Sequence, residues 1–364
     1  MTDAIPSLDE LDPATLTELL RRRAGAQAEE GDAAHLTVVS VQSEPLGAGT
    51  GFLGELRRLH LGYSADTAAG DASPNRLVAK APTTDPGGRQ IGLMLNVWAR
   101  EHRFFVELAP QLPTRLPRCY ANLADESAQR WLLLLGDAGD TTAAGQVHGA
   151  GRDHAAAALA EIATLHRTFA GGRPNPWLPG FDRGPLSALQ AAAQSAVEPF
   201  LARFGDLLPA GTPDLLRRFA PRLSSWAEEQ AQGPLTLVHA DFRLDNLIID
   251  RHGAVTVLDW QTALMGNGAM DVASLLATSL TVEDRRAWED ELLAGYADAA
   301  GQPVDAVRHA VRHHLLWWMA LYANNLSRLD PADAQAAAMS EQTVRRTFSA
   351  AADHGVAELL DTEG

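Results

Sequence analysis

The stretch VHADFRLDNLIIDRHGAVTVLDWQ, residues 238–261, places Asp241, Asn246 and Asp259 around a short pair of apolar runs. The runs LIID and VTVLD are joined by RHG, which is typical of a tight turn between paired strands. Such a hairpin would bring Asn246 and Asp259 to the same end, with Asp241 five residues before Asn246. Each residue alone could be an ordinary turn residue. Together they favour a site for a hard cation such as Mg²⁺, open to phosphate oxygens, with Asp241 placed to accept a hydrogen bond from an attacking hydroxyl.

The composition is that of a globular protein and narrows the classes of partner. The chain has 364 residues, of which 46% are hydrophobic, and a formal net charge of −16. This excess of acid argues against nucleic acid as a partner, and fits either a cationic substrate or simple solubility. The longest apolar runs, residues 131–135 and 315–322, are too short to span a bilayer, which argues against a membrane. The single cysteine, Cys119, excludes an intrachain disulfide and favours the cytoplasm.

The chain divides into a first part rich in strands and a second part rich in helices. Strands are predicted at 36–41, 56–63, 76–81 and 130–135, with one helix over 90–108. After about residue 149 the pattern turns helical, with predicted helices at 154–169, 186–204, 213–231, 282–299, 304–326 and 332–352. We therefore expect a helical extension over residues 1–35, a β-rich unit over 36–138 and a helical unit over 139–364.

The pattern H-x-D-x-x-x-x-N, followed by a hairpin that ends in Asp, resembles the catalytic segment of protein-kinase-like phosphotransferases. The segment VHADFRLDNLIID…VLDWQ is most similar to the aminoglycoside phosphotransferase, choline kinase and ecdysteroid-kinase-like group. This resemblance implies an α+β, bilobed protein-kinase-like fold with a β-rich N-lobe and a helical C-lobe. It also implies transfer of phosphate from ATP, bound with Mg²⁺ between the lobes, to a hydroxyl of a small molecule. By the same resemblance Asp241 is the catalytic base, Asn246 and Asp259 hold Mg²⁺, and His239 packs under the loop.

The only lysine of the chain, Lys80, lies in the predicted strand RLVAKA. A compact ammonium on a flexible stem is suited to reaching phosphate oxygens, and a planar guanidinium is not an equivalent replacement for it. In the fold that the resemblance implies, a lysine on the third strand contacts the α- and β-phosphates and pairs with a helix glutamate. Glu101 falls on the apolar stripe of the predicted helix 90–108, where an unpaired carboxylate would be costly. Glu107 lies off that stripe, so we expect Glu101 to be the partner.

A glycine-rich segment precedes the second strand. Gly49, Gly51 and Gly54 form G-x-G-x-x-G, which is a weak signal that dinucleotide-binding folds share. The segment after it is predicted to be a strand and not a helix, which favours a hairpin that covers a nucleotide. Gly49 and Gly51 are therefore expected to contact the nucleotide, although Gly47 or Gly49 alone could form the functional turn. A Walker-type P-loop is absent from the sequence.

Three further assignments come from the resemblance. The segment LLLLGDAG, residues 132–139, is similar to the connector between lobes, where backbone groups near Leu134, Leu135 and Gly136 would grip adenine. The preference between ATP and GTP stays open. Asp271 resembles an acid that braces the catalytic loop, but an N-cap of the following helix is an equal alternative. His166 is expected to support packing or the loop.

The sequence leaves the acceptor, the oligomeric state and the biological role open. One alternative acceptor is a hydroxyacyl-CoA, because the group includes domains associated with lipid breakdown. Another is an antibiotic, for which the acidic balance is mild support. A kinase-like protein that binds without catalysis is the third alternative. The presence of Lys80, Asp241, Asn246 and Asp259 argues against it.

Overall fold

The computed structural model describes residues 5–27, 35–46, 53–67, 73–139, 145–172, 175–181, 186–327 and 334–361. The chain forms two units. The first contains Met1–Gln111 and Leu116–Gly139, and the second contains Leu112–Arg115 and Asp140–Gly364. Among the described residues, no helix has both the length and the apolar character needed to cross a membrane.

The first unit is built on an antiparallel sheet of five strands. They are β1 (Val38–Leu46), β2 (Gly54–Tyr63), β3 (Arg76–Pro82), β4 (Cys119–Asp125) and β5 (Arg130–Gly136). Their order is β1-β2-β3-β5-β4, so β4 is an edge strand. Helix α1 (Pro13–Gln27) packs on the sheet, because its leucines share one core with Leu59 and Leu77. The sequence predicted every strand except β4, in which only Tyr120 is buried and apolar alternation is therefore lost.

The prediction of one continuous helix over 90–108 was wrong, because the structure has two helices in this region with a break between them. Helix α2 (Pro86–Met94) ends before Asn96, which has a left-handed backbone with φ of 54°. Helix α3 (Val97–Arg103) then begins and continues into a π-helical turn. The break lets Trp98 fold back over Gly92, where a Cβ atom would lie only 2.4 Å from the indole ring. Periodicity missed the break because the apolar stripe continues across it.

The second unit is mainly helical. Its helices are α4 (Gly145–His148), α5 (Arg152–Thr168), α6 (Leu186–Phe204), α7 (Thr212–Phe219), α8 (Leu223–Gln230), α9 (Ala269–Ser279), α10 (Val282–Ala300), α11 (Val304–Leu326) and α12 (Ala334–Asp353). One helix was predicted where α7 and α8 lie. Pro221 explains the division, because proline disfavours an uninterrupted helix, and a 3₁₀ turn separates the two.

Four short strands carry the polar segment of this unit. They are β6 (Thr236–Val238), β7 (Leu247–Ile249), β8 (Val255–Val257) and β9 (Leu264–Gly266). The predicted hairpin is confirmed, because β7 pairs with β8 in antiparallel register. Its turn places Gly253 at a φ of 80°, and the Asp250 carboxylate accepts hydrogen bonds from the backbone N–H groups of His252 and Ala254. Strand β6 pairs with β9, and helix α9 follows directly.

The core between α8 and α11 buries a histidine. His314 is fully buried and meets the ring of Trp226 edge to face at 5.5 Å. Neither ring nitrogen of His314 has a hydrogen-bond partner among the described residues. Burial lowers the pKa of His314 to about 3, because the core disfavours the imidazolium, and His313 adds to the effect. The folded protein therefore keeps this ring neutral.

His314 should make stability depend on pH. Below its usual pKa of about 6.5 the unfolded chain binds a proton that the folded protein does not, so stability is lost as the pH falls from about 6.5 towards 3. The expected loss between pH 7 and pH 5 is about 2 kcal/mol from this group. His314→Leu should remove that part of the slope, as measured by urea unfolding at the two pH values. His309→Gln, at an exposed position of the same helix, is the control. An unchanged slope in His314→Leu would contradict this account.

Candidate active site

A buried ion pair joins strand β3 to helix α3 in the first unit. The Lys80 Nζ atom lies 2.7 Å from Glu101 Oε2, and the two side chains are 7% and 3% exposed. Gly54 lies beside the lysine, with a notional Cβ atom 3.5 Å from Lys80 Cε. Removing one partner of such a buried pair usually costs about 3–5 kcal/mol. The structure thus brings together the two residues that the sequence analysis paired, and fixes the direction of the ammonium.

The other candidates in the first unit lie around the sheet. Gly49 and Gly51 fall outside the described residues, and strand β2 begins at Gly54. Leu134 and Leu135 lie inside β5, which pairs with β3 on one side and β4 on the other. Gly136 ends the strand, and its N–H donates to the carbonyl of Arg118 at 2.7 Å. The backbone therefore leaves the sheet directly after Gly136.

Asp137, immediately after β5, was not identified from the sequence. Its side chain is 2% exposed, with Oδ2 at 3.0 Å from Arg58 Nε and 3.3 Å from Arg76 Nε. Its Oδ1 accepts a hydrogen bond from the N–H of Gly139. These contacts tie the end of β5 to β2 and β3. A single acid after a strand carries no sequence signal for this role.

In the second unit, the loop after β6 depends on one buried carboxylate. Ala240 has a left-handed backbone, with φ of 61°, which costs a residue with a side chain roughly 1–2 kcal/mol. Asp271 accepts hydrogen bonds from the N–H groups of His239 and Ala240, at 2.7 and 2.8 Å. Asp271 is fully buried, in the first turn of α9, whose N-cap is Gly268. Of the two alternatives for Asp271, the contacts are those of a brace for the loop.

His239 is fixed under the loop by both ring nitrogens. Nδ1 accepts a hydrogen bond from the N–H of Asp241 at 3.2 Å, so Nε2 carries the proton and donates to the carbonyl of Leu258 at 2.7 Å. The imidazole is fully buried and packs edge to face on Trp260, with ring centroids 4.8 Å apart. His239 thus links Leu258, the residue before Asp259, to the loop that carries Asp241.

Asp241 and Asn246 lie within hydrogen-bonding distance of each other. Asn246 Nδ2 donates to Asp241 Oδ2 and to the Asp241 carbonyl, both at 2.8 Å. With the amide nitrogen turned towards Asp241, the amide oxygen is the atom of Asn246 left for other ligands. Arg243 Nε donates to the second carboxylate oxygen of Asp241, at 3.1 Å. Each oxygen of the Asp241 carboxylate therefore has a donor.

Asp259 follows β8 in a strained conformation. Its φ is 60° and ψ 68°, and Gln261 Nε2 donates to Asp259 Oδ2 at 3.2 Å. The N–H of Leu258 donates to the carbonyl of Asn246 at 2.8 Å, which joins the two segments. A carboxylate and an amide oxygen are ligands that Mg²⁺ accepts, with phosphate oxygens and water completing its shell. Asn246 and Asp259 fit such an ion. Among the described residues no cluster of three His, Cys, Asp or Glu side chains forms an alternative metal site.

The surroundings of the Asp241 carboxylate shift its pKa in opposing directions. Burial raises its pKa, and the nearby Asp259 acts in the same direction. Arg243, His239 and the hydrogen bond from Asn246 oppose that rise. The side chain nevertheless stays 28% exposed, so a substrate can reach it. A carboxylate with this combination can orient a hydroxyl and accept its proton.

A second layer of polar contacts supports Asp271. His166 Nε2 lies 3.2 Å from Asp271 Oδ2, and His166 Nδ1 lies 2.7 Å from the hydroxyl of Tyr296. Gly268 leaves room for this pair, because a Cβ atom there would lie 2.6 Å from His166 Nδ1. His166 therefore supports the loop through Asp271, as the sequence analysis expected.

Further contacts around the loop were missed at the level of sequence. Ser279, the last residue of α9, accepts a hydrogen bond through Oγ from the N–H of Leu244 at 2.9 Å. Tyr322 on α11 lies close enough to Asp241 and Arg243 for electrostatic interaction. A serine at a helix end and a tyrosine in an apolar helix are both common, so only the fold identifies them.

The chain matches one protein-family model and several solved structures. The model of APH, the phosphotransferase enzyme family, matches residues 55–314. None of the curated proteins matches the sequence. Spectinomycin phosphotransferase, solved with ADP and spectinomycin, has a TM-score of 0.54 at 11% identity, covering 94% of this chain and 98% of its own.

Two other solved structures agree in fold. A provisionally named aminoglycoside phosphotransferase from Ralstonia eutropha has a TM-score of 0.53 at 15% identity, covering 94% of this chain and 98% of its own. The GDP complex of an aminoglycoside 2′-phosphotransferase variant has a TM-score of 0.53 at 12% identity, covering 94% and 97%. The α+β, protein-kinase-like fold expected from the sequence is thereby confirmed.

Proposed function

Because the chain belongs to the phosphotransferase enzyme family, we propose that this small-molecule phosphotransferase moves the γ-phosphate of ATP to a hydroxyl of its acceptor. The observation that carries the proposal is the loop geometry of Asp241. Its carboxylate lies 2.8 Å from the amide of Asn246, with Asp259 in the adjoining segment. A binding module that performs no chemistry would not need a strained loop that holds a carboxylate in this way.

The reaction that we propose uses Asp241 as base. The acceptor hydroxyl donates a hydrogen bond to the Asp241 carboxylate and loses its proton to it as the oxygen bonds to the γ-phosphorus. The bond from that phosphorus to the bridging oxygen breaks, and ADP leaves with the electron pair. Asn246 and Asp259 would hold Mg²⁺, which when bound offsets the negative charge of the phosphate oxygens. His239 and Asp271 keep the loop in place.

The first unit would bind the nucleotide. In this proposal Lys80, oriented by Glu101, contacts the α- and β-phosphates. The segment with Gly49 and Gly51 covers these phosphates. Backbone groups at Leu134, Leu135 and Gly136 would contact the base. In this scheme residues 36–138 bind nucleotide, residues 139–364 carry catalysis and the acceptor site, and residues 1–35 are an extension.

The test is phosphorylation of a mixed acceptor pool. Purified protein, Mg²⁺ and either ATP or GTP are incubated with aminoglycosides including spectinomycin, amino alcohols, sterols and hydroxyacyl-CoAs. New phosphomonoesters are detected by mass spectrometry, and Asp241→Asn is the negative control. We expect a product that needs nucleotide and Mg²⁺ and that only the wild type forms.

The outcomes separate the alternatives. A phosphorylated hydroxyacyl-CoA would move the function to lipid breakdown, and a phosphorylated aminoglycoside would indicate resistance. Tight nucleotide binding without any phosphoryl transfer, including transfer to water, would overturn the proposal in favour of a binding protein.

Lys80→Arg should weaken catalysis although it keeps the charge. The ammonium fits a buried space 2.7 Å from Glu101, and the larger planar guanidinium would have to shift away from that position. Misplacement of about 1 Å is enough to lower kcat/KM on the order of 10²-fold. Steady-state kinetics with the acceptor found above measures this.

The matched control for that exchange is Arg103→Lys on the same helix as Glu101. Arg103 pairs with Glu126 at 3.0 Å, but the two side chains are 37% and 55% exposed, and exposed pairs contribute little. Its kinetics should stay at the wild-type level. Full activity in Lys80→Arg would remove any special role for the lone lysine.

A further inference from the structure

Arg243 lies next to the proposed base, between two carboxylates. Its Nε donates to Asp241 Oδ1 at 3.1 Å, and its Nη1 donates to Asp245 Oδ2 at 2.8 Å. Asn246 Nδ2 meets the other oxygen of Asp241 at 2.8 Å. Donors on both oxygens fix the plane of the Asp241 carboxylate, and Asp245 fixes the plane of the guanidinium that supplies one of them.

The surroundings strengthen these contacts. The side chains of Arg243, Asp241 and Asp245 are only 22%, 28% and 29% exposed, so salt screens them less than it screens surface pairs. Burial works against the guanidinium charge, but Asp241 and Asp245 outweigh it and raise the pKa of Arg243. Tyr322 lies next to this group, with its hydroxyl buried. Arg243 is therefore charged and held at both ends.

The turn that carries these side chains also has hydrogen bonds of its own backbone N–H groups. The turn Leu244–Asn246 is secured by the backbone, since Leu244 N–H donates to Ser279 Oγ at 2.9 Å and Asn246 N–H donates to the Arg243 carbonyl at 2.9 Å. Partly exposed ion pairs contribute about 0–1 kcal/mol to stability. A guanidinium anchored so specifically beside Asp241 has more effect on the orientation of that carboxylate than on folding.

We propose that Arg243 is a positioning residue, which aligns the Asp241 carboxylate with the acceptor hydroxyl, and that Asp245 acts only by holding Arg243. This inference rests on the proposed phosphotransferase activity and adds two residues to it. Arg243 acts through Asp241 and leaves the affinity for nucleotide and acceptor unchanged. Its removal should therefore appear in kcat and not in KM.

The experiment is a double-mutant cycle with Arg243→Gln, Asp245→Asn and the double variant, assayed for transfer to the acceptor and for hydrolysis of nucleotide. Arg243→Gln should lower kcat on the order of 10²-fold through misalignment of the base, with KM for both substrates and the thermal midpoint unchanged. Asp245→Asn should lower kcat less in the wild-type background and not at all in the Arg243→Gln background. Arg243→Lys, which can keep one donor near Asp241, should recover part of the loss.

Arg251→Gln is the matched control, because Arg251 is exposed in the hairpin turn and its side chain donates a hydrogen bond to the neighbouring His252. If the kcat losses of Arg243→Gln and Asp245→Asn simply add in the double variant, the role given to Asp245 would be overturned. A raised KM with unchanged kcat would overturn positioning and make Arg243 an acceptor-binding residue. A wild type that neither transfers phosphate nor hydrolyses nucleotide would overturn the proposed function itself. An active wild type with a fully active Arg243→Gln would overturn this inference alone.

Discussion

The Asp241→Asn protein is expected to bind nucleotide nearly as the wild type does and to lose roughly 10²–10⁴-fold in turnover. The amide keeps the size of the carboxylate and an oxygen that can accept the hydrogen bond from Arg243 Nε. It cannot take up the proton of the acceptor hydroxyl. The loss should therefore fall on kcat, which steady-state kinetics resolves, while nucleotide affinity is measured by titration calorimetry.

Asp250→Asn is the matched control for that exchange. Asp250 belongs to the hairpin that follows the loop of Asp241, and its carboxylate accepts backbone N–H groups of the exposed turn. The same loss of one negative charge there should leave turnover unchanged. Equal activity of Asp241→Asn and wild type would remove Asp241 from the mechanism, and equal damage from Asp250→Asn would mean that net charge is being measured.

The second large effect is expected from Asp271→Asn. The carboxylate accepts the N–H groups of His239 and Ala240, so an amide in its place turns its own N–H₂ towards one of these donors. A buried donor without an acceptor, together with the donor facing it, should lower the free energy of unfolding by about 2–4 kcal/mol. Ala240 would then be released from its left-handed conformation, and kcat should fall as well. Urea unfolding and kinetics on the same samples measure both.

Asp153→Asn provides the comparison. Asp153 also lies in the first turn of a helix, α5, but its side chain is 95% exposed. Its replacement should change the free energy of unfolding by less than about 0.5 kcal/mol. If the two variants were destabilised equally, the effect would come from the helix dipole, and the two loop hydrogen bonds of Asp271 would carry no special weight.

The sequence was most informative where a charged side chain requires a partner of opposite charge and where a short turn joins two apolar runs. The resemblance implied that Lys80 pairs with a helix glutamate, and Glu101 could be named because it lay on the apolar stripe of the predicted helix while Glu107 lay off it. The hairpin at β7 and β8 followed from two apolar runs around a glycine turn. The assignments of Asp241, Asn246 and Asp259 as catalytic and metal-binding residues remain proposals, although the structure places them in adjoining segments.

What the sequence could not supply depends on distant parts of the chain. Asp271 became a brace only because α9 brings its first turn beneath His239 and Ala240. The left-handed backbone of Ala240 has no composition signal, since alanine rarely adopts that conformation. Strand β4 was missed because an edge strand with one buried side chain shows no alternation. In each case tertiary contacts decide a local conformation that the local sequence leaves open.

The anchoring of the loop on a fully buried carboxylate of α9 has a consequence for how heat would inactivate the protein. Every residue of α9 is buried, so the helix cannot melt alone without exposing the core of its unit. The loop residues that donate hydrogen bonds to Asp271 are therefore not expected to become disordered at a lower temperature than α9. The loop geometry should thus persist up to the cooperative unfolding of this unit and be lost with it, whereas nucleotide binding, which we assign to the first unit, can be lost separately.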